Sequence, residues 1–284
     1  MINKFTTLLY IILLFIISGC DDTNSNTPIP GYMEIPGFTL EHENAIGITD
    51  VWVDVNGDFV GVFELPAKFP VIAEGPSKVI LKAGIKVNGM GNTRSYYPYY
   101  KIIEKSIDFK PSEVITITPE TTYGTWANVI WNEDFENGHK FEKNNNSDTV
   151  FVVTDKDKFE GYHSGAIYLD TANRAFEANT PELSRPDLGT SGMFLELNYK
   201  GDIPFEIGLY INYQNQVNIK SVLAIYSSSE WKKIYIDLYN PLLQYPKGTA
   251  YKIYIRAWHN MSKPSSTIYI DDFKIVQNSD KKKK

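Results

Sequence analysis

Apolar and polar residues alternate in short runs along most of this chain, rather than recurring at the three-to-four-residue spacing of a helix. The clearest case is Val51-Trp52-Val53-Asp54-Val55, followed by Asn56-Gly57 and then Asp58 to Phe63. Alternation sends successive side chains to opposite faces of a strand. Asn-Gly supplies the two positive-φ positions of a type I′ turn, whose twist matches the flanking strands. Similar runs rich in Val, Ile, Tyr, Phe and Thr predict strands over residues 78–81, 99–109 and 113–118 in the first half. In the second half they predict strands over 150–155, 166–170, 193–199, 205–212, 222–226, 231–238, 251–258 and 267–276. Many short strands separated by turns predict an all-β chain of two β-sandwich domains.

The N-terminus departs from this pattern. Lys4 precedes an apolar run from Phe5 to Ile17, interrupted only by Thr6 and Thr7. A permanent span needs about 20 apolar residues, so the run fits a secretory signal peptide better. It ends in Ile17-Ser18-Gly19-Cys20, which is similar to the bacterial lipobox. That resemblance implies cleavage after residue 19 and lipid on Cys20, with the membrane as a partner through that lipid. Asp21 and Asp22 follow, as in Bacteroidota lipoproteins sent to the outer face of the outer membrane. In enterobacteria an aspartate here resembles an inner-membrane retention signal, but the Lys/Asn/Ile/Tyr-rich composition favours the cell surface. Residues 20–36, with Asn24, Ser25, Asn26, Pro28, Pro30 and Gly31, hold too little apolar surface to offset ordering entropy and read as a flexible tether.

Composition narrows the function. The net charge of −6 argues against nucleic acid as a partner. Cys20 is the one cysteine among 284 residues, so a lipidated chain has no disulfide, thiolate metal site or cysteine nucleophile. The length beyond the leader suits two domains, placed at 37–125 and 126–277, with a disordered tail over 278–284 that contains Lys281 to Lys284.

Val53-Asp54-Val55-Asn56-Gly57, Gly61, Leu65-Pro66, Gly75, Val79 and Leu81 resemble a PEGA-type module, a small Ig-like β-sandwich of envelope proteins without a catalytic centre. The resemblance stops after Gly84. Arg94 and the cluster Tyr96, Tyr97, Tyr99 and Tyr100 follow, and two readings stay open for them. They form an aromatic surface for a protein partner, because tyrosine brings large area at low entropic cost, or alternate tyrosines pack the core while Arg94 caps a turn.

Residues 126–276 resemble a jelly roll of the galactose-binding or carbohydrate-binding type. The resemblance rests on Glu133-Asp134-Phe135-Glu136-Asn137-Gly138, on Phe159 to Gly165, on Ser229-Glu230-Trp231 and on Ile268 to Ile275. It implies a structural calcium shared by Glu133, Asp134 or Glu136 with Asp271 or Asp272, since calcium takes six to eight oxygens. A solvent-facing acidic pair is the plainer account of Asp271 and Asp272. The resemblance also implies a glycan site of aromatic faces and a few polar groups, for which Tyr210, Tyr213, Arg256, Trp258 and His259 are candidates. Arg256 and Trp258 share a strand face and either bind a sugar or stack on one another.

No catalytic constellation is evident. The four histidines are scattered without metal-ligand spacing, and no GxSxG, P-loop or dinucleotide fingerprint occurs. No pair of acids stands out for glycoside hydrolysis. The sequence therefore predicts a non-catalytic, surface-exposed outer-membrane lipoprotein that binds glycan. An accessory subunit of an outer-membrane protein complex is the alternative, and a divergent glycoside hydrolase a distant third.

Overall fold

The computed structural model describes residues 28–41, 43–184, 192–214 and 216–279. Cys20, the proposed signal peptide, His42 and Lys281–Lys284 lie outside the described residues. Among the described residues no helix is long and apolar enough to cross a membrane.

The all-β expectation holds, and among the described residues one short helix, Tyr239–Leu243, interrupts the strands. In the first half, Asp50–Val55 pairs with Asp58–Glu64 around the Asn56-Gly57 turn, where both residues have positive φ. Gly75–Lys86 lies on the other side of Asp50–Val55 and pairs in turn with Arg94–Tyr96 and Ile103–Phe109. Val51, Val53, Val79, Leu81 and Ile85 point inward from this five-stranded sheet and are buried.

The facing layer corrects the proposed tether. Gly31–Ile35 is a strand, antiparallel to Ala67–Val71 and parallel to Val114–Thr116. Its Met33 and Ile35 are completely buried, so residues 31–35 belong to the folded sheet and not to the proposed tether. A five-residue alternating run is enough to join a sheet when two partners flank it.

The second half is a sandwich of two antiparallel sheets. One runs in the order Val152–Thr154, Ser164–Asp170, Ser265–Asn278, Met193–Gly201, Ser228–Asp237, with Ala127–Glu133 also on Ser265–Asn278. The other runs Glu142–Lys143, Ala175–Asn179, Gly248–Trp258, Phe205–Tyr213, Gln216–Ile225, with Leu183–Ser184 also on Gly248–Trp258. Between them lies a continuous core that includes Phe176, Leu195, Leu197, Ile207, Leu209, Ile253, Ile255 and Phe273. The final strand reaches Asn278, and Ser279 N–H donates to the Trp126 carbonyl, so residues 278 and 279 are not part of the proposed disordered tail.

The halves are not independent beads. Tyr235 and Val276 of the second half belong to the core of the first. Glu196, fully buried, accepts hydrogen bonds from Tyr97 Oη at 2.5 Å and Tyr123 Oη at 2.8 Å, and pairs with Lys233 at 2.9 Å. Glu43 from the first half bridges Lys274 at 2.6 Å and Lys233 at 3.4 Å. Asn88 N–H donates to the Tyr235 carbonyl and Tyr100 Oη meets Tyr235 Oη at 2.8 Å. Every charge at this seam has a partner, the condition under which buried ions are tolerated. Burial pushes the Tyr97 and Tyr100 hydroxyls well above the usual tyrosine range and Tyr99 up to about 12, so all three stay neutral.

Candidate functional site

The outward face of the second sheet collects the aromatic and charged residues with the best geometry for ligand contact. Alternation decides which side chains reach it. On Phe205–Tyr213 the residues Phe205, Ile207, Leu209 and Ile211 turn inward and are buried, which sends Glu206 and Tyr210 outward. On Gly248–Trp258 the inward set is Tyr251, Ile253, Ile255 and Ala257, leaving Lys252, Tyr254, Arg256 and Trp258 outside. Register then brings the strands together, because Arg256 lies opposite Glu177 on one side and Glu206 on the other.

The groups on this face are tied into one network. Glu177 accepts a hydrogen bond from Arg256 Nε at 2.8 Å and a very short one from Tyr210 Oη. Arg256 Nη2 donates to Tyr210 Oη at 3.2 Å. The Arg256 guanidinium lies over the Tyr254 ring, 4.4 Å from its centroid, and Tyr254 Oη donates to Glu206. Gly208 makes the layer possible, since a Cβ there would sit 2.1 Å from the Tyr254 ring. Burial, then the hydrogen bond to Glu177, raises the Tyr210 hydroxyl above its ordinary range, and burial with Glu206 does the same for Tyr254. For Arg256, desolvation works against the charge, but Glu177 outweighs it and the guanidinium stays protonated. Beside this fixed network Trp258 is 55% exposed, with the Arg256 guanidinium 5.8 Å from its ring centroid.

Three of the five proposed glycan residues, Tyr210, Arg256 and Trp258, therefore share one face. The other two do not join them. His259 follows Trp258, falls on the inward side and is 7% exposed, with its Nδ1 3.2 Å from Ser266 Oγ. Tyr213 sits past a β-bulge between Asn212 and Tyr213 and packs on the core beside Tyr245. Glu177, Glu206 and Tyr254 were missed in sequence because their partners are 33 to 79 residues away in the chain. Only the register reveals those pairs.

The proposed partner surface of the first half divides as well. Tyr97, Tyr99 and Tyr100 are 0–3% exposed and face the second half of the same chain, so they are closed to an outside partner. Tyr97 packs on Phe194 and Tyr235, and Tyr99 Oη donates to the Gly192 carbonyl. Tyr96 stays on the outer face with its edge on Trp52, and Arg94 pairs there with Asp50 and Glu64.

The five carboxylates proposed for calcium act as acceptors for N–H groups. Glu133 takes Phe135 N–H and Lys140 N–H, and Asp134 takes Glu136 N–H. Glu136 takes the N–H groups of Tyr162 and His163. Asp271 takes those of Phe159, Glu160 and Asp272, while Asp272 takes the Asn198 amide. Among the described residues no three His, Cys, Asp or Glu side chains are grouped to hold a metal ion. Calcium needs converging oxygens, and as folded these residues do not fit it.

No protein-family model matches the chain, and no curated protein matches it. Among solved structures, it is similar to the CBM22-1 xylan-binding domain from Paenibacillus barcinonensis Xyn10C, at 13% identity over 54% of this chain and 96% of that one, with a TM-score of 0.37. It is also similar to a family 16 carbohydrate-binding module, at 11% identity over 53% of this chain and 100% of that one, with a TM-score of 0.38. A third is a family 11 carbohydrate-binding module from Clostridium thermocellum in complex with a mixed-linked tetrasaccharide, at 14% identity over 52% of this chain and 94% of that one, with a TM-score of 0.35. At such identity and superposition no residue role is carried across.

Proposed function

We propose that this chain is a non-catalytic glycan-binding lipoprotein, held at the cell surface of the outer membrane by lipid on Cys20. The observation that supports glycan binding is the half-exposed Trp258 ring beside the pre-ordered Glu177–Arg256–Tyr210 set. A sugar ring offers C–H groups to an aromatic face and hydroxyls to flanking polar atoms, and this face provides both. Groups fixed before the ligand arrives lose little entropy on binding.

Hydrolysis is disfavoured by the same contacts. Glu177 and Glu206 flank Arg256, but Glu177 is bonded by Arg256 and Tyr210, and Glu206 by Tyr254. A glycosidase needs one carboxyl poised as acid and another free as base or nucleophile. The reading as a docking subunit loses much of its support, since three of the four tyrosines that favour it, Tyr97, Tyr99 and Tyr100, are occupied at the seam.

The test is native affinity electrophoresis through gels containing cellulose derivatives, xylan, galactomannan, mixed-linkage β-glucan or glycogen. Wild-type protein should be retarded by at least one polymer, and Trp258→Ala should migrate freely at unchanged melting temperature. Retardation by none, or equal retardation of the variant, would reject the site. For the anchor, an alkyne-tagged fatty acid fed to producing cells should label the wild type but not Cys20→Ser. Label on both would reject it.

A further inference from the structure

Register at one end of this face places a second exposed aromatic in line with Trp258. Phe205 lies opposite Ala257 on one side and opposite Ile225 on the other. Carried one step past the strand ends at Phe205 and Ile225, the same register brings Trp258, Pro204 and Tyr226 level. Phe205, Ala257 and Ile225 are buried, so alternation directs this next row outward, and all three of its residues are exposed. Tyr226 is 85% exposed, more than any other large hydrophobic residue of the described chain. Two inter-strand spacings separate its backbone from that of Trp258, roughly 9–10 Å.

Immediately inside this row lie the charged residues Glu177, Arg256 and Glu206, with Ala224 next in register. Arg256 gives Nε to Glu177 and one Nη2 hydrogen to Tyr210, and no described residue takes its Nη1 hydrogens. Pro204, between the two aromatics, is exposed and has neither an N–H nor a long side chain to compete for a ligand there.

Resting on the glycan-binding reading, we infer that the ligand is an extended, equatorially linked glycan whose internal segment crosses the strands along this row. Trp258 stacks on one sugar and Tyr226 on the second sugar along, with the Arg256 row reading hydroxyls of the segment between them. Two aromatic faces about one disaccharide repeat apart suit a flat ribbon of β-linked pyranoses. A helical α-glucan curves away from the second platform. The charges beside the platforms, Glu177 and Glu206 against Arg256, add no excess of cation, so the glycan is neutral rather than uronate-rich.

Binding is measured by titration calorimetry with β-1,4-linked gluco- and xylo-oligosaccharides from disaccharide to hexasaccharide, using wild type, Tyr226→Ala and Trp258→Ala. Tyr226→Ala should weaken tetrasaccharide and longer ligands about tenfold, as for one lost stacking contact, and leave the disaccharide unchanged. Trp258→Ala should weaken every length. If Trp258→Ala abolishes binding while Tyr226→Ala binds the hexasaccharide like wild type, the two-platform inference fails and the glycan reading stands. Binding of glycogen in preference to β-linked polymers also overturns the inference. Failure of wild type to bind any glycan overturns both.

Discussion

Asp271 is the residue whose surroundings and charge are most at odds. It is 2% exposed, and burial, followed by the neighbouring Asp272, pushes its carboxyl up to about 7. Three backbone N–H groups, from Phe159, Glu160 and Asp272, pull the other way without winning. Asp272 and Glu160 are also raised, each chiefly by burial. A carboxyl raised in the folded state holds a proton that the unfolded chain has released, so stability falls as pH climbs from about 4 to about 7 and then levels. Thermal melts should show this decline, amounting to about 2 kcal/mol for Asp271 between pH 5 and pH 7. In Asp271→Asn the decline should shrink to the share left by Asp272 and Glu160. An unchanged slope in the variant would place the titration elsewhere.

At the scale of single elements, Gly208 shows how a strand prepares its face. Its missing side chain lets the Tyr254 ring lie across the backbone, with Arg256 stacked on the ring's far side. Gly208→Ala should lift that ring, break the Tyr254–Glu206 bond and lower stability by about 1–3 kcal/mol, as for an overpacked core. Calorimetry should then show weaker glycan binding although Trp258 is untouched. A variant with wild-type melting and affinity would mean that the ring moves aside at no cost. The strands themselves were largely readable, since alternation marks Asp50–Val55, Phe205–Tyr213 and Gly248–Trp258 directly. Gly31–Ile35 and Ala67–Val71 were not, because each is short and earns its place only through cross-strand partners. Trp258 and Arg256 could be found from their shared parity within one strand. Glu177 and Glu206 could not, because what recruits them is register between strands distant in sequence.

Across the whole molecule, the seam makes two sandwiches behave as one body. Glu196 lies among Tyr97, Tyr123 and Lys233, all of which would be left buried without their shared acceptor. Glu196→Ala leaves the Lys233 ammonium only its 3.4 Å contact with Glu43 and should cost about 3–5 kcal/mol, the usual penalty for breaking a buried ion pair from one side. Scanning calorimetry should give one cooperative transition for wild type and a lower or divided one for the variant. Two separate transitions in wild type would show that the halves melt independently. Tyr97→Phe removes one donor and leaves the ion pair, so it should cost less, about 1.5–3 kcal/mol.

The strand Ser265–Asn278 lies in the middle of its sheet, with Met193–Gly201 along one edge and both Ser164–Asp170 and Ala127–Glu133 along the other. Its Val276 also completes the core of the first half. A polypeptide emerging N-terminus first, from a ribosome or through a translocation pore, thus has the flanks of that sheet before its centre. Until this segment emerges, Ala127–Glu133 has no partner in the sheet, and Ser164–Asp170 and Met193–Gly201 each lack one of their two, so that sheet cannot close. The order of strands therefore places completion of that sheet after all of its flanking strands have emerged.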